Sequence, residues 1–292
     1  MIVLVANPTS GGGRCRRLIP EVLERLQARG EAHRVVITED GGHPRRAALE
    51  AAEGGADVVV AMGGDGLVGS CADALVGTET ALAVVPAGSG NDFATHLGLD
   101  TGSPASALEV LWRGGSVRID VVRAEGPGWE RHYVCVAGAG FDSEANDLAN
   151  RVHRLHGTAK YVYAALRTLV RFRPADLTIR VDGDESRLRG MLIAVGNASS
   201  YGGGMKVCPD ASLEDGLADV CVVEAMWKLR FLATFPKVFK GRHVGHPKVT
   251  MLRGAKVEVE SSRPFEVYAD GEPMGPLPAS FTVVPRALKV FT

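Results

Sequence analysis

The hydrophobic period changes once along this chain, near Gly115, and that change limits what the sequence can fold into. Before it, short apolar runs alternate with segments of helical spacing. Strands are expected at Ile2 to Ala6, Arg34 to Thr38, Asp57 to Met62 and Ala81 to Pro86, and helices at Arg14 to Arg29, Pro44 to Glu53 and Val68 to Leu75. Such alternation builds a parallel sheet with helices on both faces, a three-layer α/β unit whose ligand site lies at the carboxyl ends of the strands. After Gly115 the period is two, at Ser116 to Val122, Arg131 to Val136, Leu177 to Val181, Met191 to Val195, Ala218 to Val223, Lys256 to Glu260 and Phe265 to Ala269. Many short strands between Gly, Pro and Asp turns predict an antiparallel sandwich or barrel, interrupted by helices near 158 to 171 and 227 to 239.

Three polar, glycine-bearing loops follow strands of the first part: Asn7-Pro8-Thr9-Ser10-Gly11-Gly12-Gly13, Gly63-Gly64-Asp65-Gly66, and Ala87-Gly88-Ser89-Gly90-Asn91-Asp92. They are expected to converge on one crevice. The Gly63 loop follows the β-branched run Val58-Val59-Val60 directly, and its glycines let backbone N–H groups approach a phosphate, as a nucleotide kinase requires. Its one carboxylate, Asp65, can hydrogen-bond the loop or face Mg²⁺. Asn91 and Asp92 also suit a plain capping role at the start of a following helix.

Composition excludes several classes. At 292 residues, 46% hydrophobic and 23% charged, the chain has the make-up of a soluble globular protein of one or two domains, with two expected. No apolar run approaches the ~18 residues of a spanning helix, and the first strand lacks the basic flank of a signal peptide, so a cytoplasmic location is expected. Five scattered cysteines without a C-x-x-C pair read as reduced packing residues. The histidines form no metal-binding pattern, and His153 and His156 read as part of a basic surface. Charge is uneven: 10 Lys+Arg against 15 Asp+Glu up to residue 122, and 23 against 19 beyond it. Arg151 to Arg173 and Ala225 to Val257 contain no acid, which suggests an anionic surface as partner. Trp227, Phe231, Phe235 and Phe239 recur every four residues among Lys228, Arg230, Lys237, Lys240 and Arg242. That stripe suits either core packing or a basic amphipathic helix on anionic lipid, and Pro236 interrupts it. No nucleic-acid-binding motif accompanies the charge, so no nucleic-acid partner is expected.

Taken in order, Asn7-Pro8-x-Ser10-Gly11, Gly63-Gly64-Asp65-Gly66, Pro86 to Ala94, Gly138-x-Gly140-Phe141-Asp142, Val195-Gly196-Asn197, Tyr201-Gly202-Gly203-Gly204-Met205, Asp215-Gly216-Leu217-x-Asp219 and Asp270-Gly271-Glu272 resemble the diacylglycerol kinase catalytic-domain family of bacterial lipid kinases. The resemblance covers nearly the whole chain. It implies an N-terminal three-layer α/β nucleotide-binding domain over 1–122, to which 286–292 returns, and a C-terminal antiparallel β-sandwich domain over 123–285 that takes the lipid. It implies ATP and Mg²⁺ as cofactors and a lipid substrate at the inner face of the membrane, with a homodimer left open. The implied nucleotide contacts are Asn7, Ser10, Gly11, Thr38, Gly63, Gly64, Asp65, Gly66, Leu67, Gly69, Ser89, Asn91 and Asp92. The acceptor hydroxyl needs a base. The resemblance gives that role to Glu272, with Asp270 as metal organiser or second carboxylate, whereas the bland reading of Asp270-Gly271 is a hairpin turn. A Mg²⁺ away from the transferred phosphate is implied at Asp215 with carbonyls of Ser212 and Leu217, in place of a plain Asp-Gly turn. The family usually has threonine and asparagine where this chain has Leu67 and Gly69, which removes one hydroxyl from the phosphate loop. Two rival readings share the Gly63 loop. One is an NAD kinase-like enzyme, against which the Tyr201 and Asp270 strings speak. The other is a non-catalytic nucleotide-binding regulator, for which Leu67 is the argument.

Overall fold

The computed structural model describes residues 1–113, 115–152 and 158–292. His153 and His156 lie outside the described residues. The chain forms two compact units, Met1–Val121 with Val284–Thr292, and Val122–Val283.

In the first unit, β1 (Ile2–Ala6), α1 (Ser10–Ala28), β2 (His33–Ile37), α2 (His43–Glu53), β3 (Val58–Gly63), α3 (Asp65–Leu75), β4 (Ala81–Pro86) and α4 (Asp92–His96) alternate as the periodicity requires. The strands are parallel in the order β4-β3-β1-β2. Val5 lies opposite both Val36 and Ala61, and Met62 opposite Val85. Val290 pairs in parallel with Leu82, so the C-terminal segment covers the outer edge of β4. Strands covered on both faces must be apolar throughout, and β1, β3 and β4 are buried almost without interruption. Val22 and Leu26 of α1 meet Leu4, Val60, Met62 and Val85 in one core. The α1 span includes Gly11, Gly12 and Gly13 with non-helical dihedrals, so its regular part begins near Arg14.

Gly63 to Leu67 reads as a turn in the sequence, yet α3 already begins at Asp65, with Gly64 extended ahead of it. Glycine lowers helix propensity, but α3 is buried on nearly every side, and packing decides its start.

The second unit is antiparallel. Its strands run Glu272–Pro276, Glu266–Ala269, Val136–Gly140, Asp184–Gly196, Ala175–Val181, Lys256–Ser261 and then the first residues of Ala279–Phe291. The long strand Asp184–Gly196 serves two partners in succession. Its first half pairs with Ala175–Val181, and its second half lies between Val136–Gly140 and Ala218–Glu224. A helix at Phe141–Arg151, unexpected from sequence, follows Gly140; Ser143 Oγ accepts the Gly140 N–H and donates to its carbonyl, each at 3.0 Å. The aromatic stripe forms no single helix. Helix Lys228–Thr234 ends before Pro236 and a 3₁₀ stretch, Phe235–Lys240, continues it, because proline lacks the N–H that an α-helix needs.

Candidate active site

The first unit ties its three loops together through backbone. The Asn7 N–H donates to Met62 O (3.2 Å), Ala87 N–H to Gly63 O (2.8 Å) and Thr38 N–H to Ala6 O (2.9 Å). Thr38 Oγ1 donates to the same Ala6 carbonyl, and Asn7 Oδ1 accepts from the N–H and hydroxyl of Thr9. Gly11 has φ of +59°, and a Cβ on it would overlap the Ala87 carbonyl oxygen. A Cβ on Gly88 would overlap Gly64 Cα and lie 3.1 Å from Gly64 N and 3.0 Å from Asn91 Oδ1. Backbone therefore meets backbone at both places. Gly88→Ala is expected to separate the Gly88 and Gly64 loops and to weaken nucleotide binding roughly tenfold or more, since backbone cannot yield as a side chain does. An ATP titration monitored by thermal shift checks this.

Asp65 stands in the first turn of α3 and reaches the start of α4. Its carboxylate accepts Asn91 N–H at 2.8 Å and Phe93 N–H at 3.3 Å. Asn91 is left-handed (φ +59°), and its side chain bonds Gly88 twice, accepting from the N–H at 2.8 Å and donating to the carbonyl at 3.0 Å. The capping expected of Asn91 is thus performed from another loop by Asp65. Burial and the neighbouring Asp92 charge hold the Asp65 carboxyl above its ordinary range. The first N–H groups of a helix have no partner within it, and the helix dipole favours an anion there. The start of α3, directly after β3 and beside the Gly88 loop, has the features of a phosphate site. Leu67 is 7% exposed and lies over Gly63, so its side chain serves packing. Ser10 starts the α1 loop, Ser89 is at an exposed loop tip, and Gly69 is buried in the second turn of α3.

In the second unit, Asp270-Gly271 forms a two-residue hairpin between paired Ala269 and Glu272, with φ of +51° and +87°. Both values are positive, as a type I′ turn demands. Asp270 is buried and its two oxygens accept the N–H groups of Val134 and Cys135, each at 2.9 Å. Asn197 binds the carbonyls of the same two residues, Nδ2 to Val134 at 3.0 Å and N–H to Cys135 at 2.8 Å. Asp270 and Asn197 together satisfy the peptide groups between two strands. The Asp270 carboxylate thereby ties the hairpin to the Val134–Cys135 backbone. Glu272 opens the returning strand and is exposed, yet surrounding protein pushes its carboxyl above the ordinary glutamate range, partly offset by Arg131.

Asp142 and Tyr201 form a half-buried pair, with the Tyr201 hydroxyl donating at 3.0 Å. A Cβ on Gly138 would overlap Asp142 Oδ2 and displace the carboxylate from Tyr201. Burial raises the Asp142 carboxyl from 3.8 to about 6, against the Tyr201 bond. A carboxyl whose folded pKa lies above its unfolded value destabilises the fold once ionised, so stability falls as pH rises from about 4 through about 6. Asp142→Asn is expected to raise the melting temperature at pH 8 and to leave it nearly unchanged at pH 4, as calorimetry at the two pH values would show.

In the Asp215 loop both carboxylate oxygens are engaged. Asp215 Oδ1 accepts the Leu217 N–H at 3.0 Å, its other oxygen pairs with Arg253, and Ser212 Oγ accepts from Glu214 N–H. Arg253 also approaches Asp219 at 3.7 Å. A Mg²⁺ at Asp215 would have to displace the Arg253 guanidinium, so the carboxylate as folded is not open to the ion.

Residues 1–124 match the diacylglycerol kinase catalytic domain, and residues 135–292 match the YegS C-terminal NAD kinase beta sandwich-like domain. A diacylglycerol kinase of Mycobacterium tuberculosis is 37% identical over 291 residues, covering 99% of this chain and 94% of the relative. A diacylglycerol kinase of Bacillus subtilis is 27% identical, with 98% and 94% covered. The solved structure of a diacylglycerol kinase from Bacillus anthracis superposes with a TM-score of 0.74 at 20% identity, covering 99% of this chain and 96% of that one. A second structure from the same organism gives 0.81 at 23% identity, with 99% and 94% covered. The structures speak for the fold, an α/β unit followed by a β-sandwich-like unit. With both parts matched in order and a relative alike from end to end, the chain belongs to the diacylglycerol kinase family.

Proposed function

We propose that this chain transfers the γ-phosphoryl group of ATP to the hydroxyl of diacylglycerol or a similar lipid alcohol, giving a product of the phosphatidic acid type. The observation that carries the phosphoryl-transfer reading is the backbone packing of Gly64 on Gly88 at the start of α3, held by the Asp65 bracket to α4. The acceptor is inferred from relatives named as diacylglycerol kinases.

Phosphoryl transfer needs little covalent help and much positioning, with charge on the transferred group offset by fixed donors. The N–H groups of the first turn of α3 and of Ser89 and Gly90 supply such donors, and Asn7 and Thr38 stand at neighbouring strand ends, with Ser10 at the start of α1. ATP enters as its Mg²⁺ complex. Glu272 takes the proton of the lipid hydroxyl as oxygen attacks phosphorus, and it must be ionised to do so. Asp270 holds the hairpin that presents it.

The test is purified protein with Mg²⁺ and labelled ATP, offered soluble dioctanoylglycerol, a sphingoid base or NAD in separate reactions. Label in dioctanoylglycerol supports the proposal. Label in NAD alone favours the NAD kinase-like reading, and no transfer despite nucleotide binding favours a regulator.

A further inference from the structure

The second unit exposes apolar side chains where the sequence holds only positive charge. Helix Thr158–Arg171 buries Ala164, Thr168 and Leu169 but shows Tyr163, Leu166 and Val170 to solvent, spaced along one face, with Val170 70% exposed. Arg167 and Arg171 are exposed beside them. The Lys228 ammonium donates to the Val170 carbonyl at 2.7 Å and joins the end of that helix to helix Lys228–Thr234. There Trp227 is 86% and Leu229 80% exposed, next to exposed Lys228 and Arg230. Phe231 alone of the four-residue stripe is core: it is 8% exposed and meets Phe141 edge-on at 4.8 Å. The stripe is therefore split, its core member fixing the helix while Trp227 projects.

Exposed apolar groups gathered in one place mark an interaction site. Side chains this exposed project outward and do not line a groove, which suits insertion into a soft interface. Lys228, Arg230, Arg167 and Arg171 lie next to them along the two helices, and no Asp or Glu occurs from residue 225 to 257. A second copy of the chain meeting this face would set Lys and Arg against Lys and Arg.

We propose that the end of helix Thr158–Arg171 and the start of helix Lys228–Thr234 dock on an anionic phospholipid bilayer, with Trp227 and Leu229 entering the headgroup boundary and Lys228, Arg230, Arg167 and Arg171 meeting lipid phosphates. This deepens the lipid-kinase reading by naming where the chain meets its membrane, but its test does not depend on turnover.

The full chain is sedimented with phosphatidylcholine vesicles containing one third phosphatidylglycerol, at low and high salt. Wild type is expected to sediment at low salt, with a blue shift of tryptophan fluorescence, and to be largely released at high salt. The Trp227→Ser/Leu229→Ser and Arg167→Gln/Arg230→Gln variants are expected to partition roughly tenfold more weakly or worse, with melting temperatures and turnover on soluble dioctanoylglycerol unchanged. Wild type left in the supernatant at low salt, or variants that sediment as wild type does, would overturn the proposal. So would sedimentation velocity showing a dimer that the Trp227→Ser/Leu229→Ser change dissolves, since the face would then belong to a second copy. Vesicle binding without phosphorylation of dioctanoylglycerol would leave the docking surface standing and remove the lipid-kinase reading instead.

Discussion

Glu272→Gln is expected to reduce turnover by roughly 10² to 10⁴ while leaving the melting temperature and ATP affinity near wild type. The substitution keeps size and hydrogen-bonding capacity and removes only the ability to take a proton. Glu272 is exposed at the start of its strand, so little stability depends on its charge. Single-turnover measurement of phosphate transfer isolates the chemical step from product release and checks the result, with a thermal melt on the same preparation.

Asp270→Ala should behave in the opposite way. It strands two buried N–H groups, those of Val134 and Cys135, and each unpaired donor costs about 1–3 kcal/mol. It also puts alanine at φ +51°, where asparagine and aspartate are better tolerated. A loss of about 2–6 kcal/mol in chemical denaturation is expected, with activity falling because the hairpin no longer holds Glu272. Asp270→Asn should recover part of the stability, since its one carbonyl oxygen replaces one of two acceptors. A denaturation midpoint unchanged in Asp270→Ala would contradict the positioning role.

The two carboxylates of one tripeptide thus part company, and sequence alone could not part them. Asp-Gly-Glu was legible as a hairpin with charge, because two-residue turns favour Asp-Gly. The partners of Asp270 lie about 135 positions upstream, beyond the reach of any local pattern. Asp65 is the same case on a smaller scale. Its loop was legible from the apolar run and the glycines, but its grip on Asn91 and Phe93 comes from folding two loops together. The early start of α3 was hidden because Gly64-Asp65-Gly66 has turn composition, and burial overrides it.

Parallel strands of the first unit were readable because burial on both faces leaves a continuous apolar run. The Trp227 stripe was not, since spacing by four describes a helical face without saying whether protein or solvent meets it. Exposure settles that against a common role: Phe231 is core and Trp227 is not. At Asp215 the sequence could show a carboxylate beside a glycine but not that Arg253, 38 residues on, would already be paired with it.

The most direct measurement is transfer of label from γ-labelled ATP into organic-phase dioctanoylglycerol phosphate, from pH 5 to pH 9, by wild type and by Glu272→Gln with a matched melting temperature. The base must be ionised and its carboxyl is raised, so the wild-type rate should climb with pH along a limb displaced above the ordinary glutamate range. The variant should be slow and lack that limb. A Glu272→Gln protein that labels the lipid as fast as wild type, with the same pH dependence, would contradict the account.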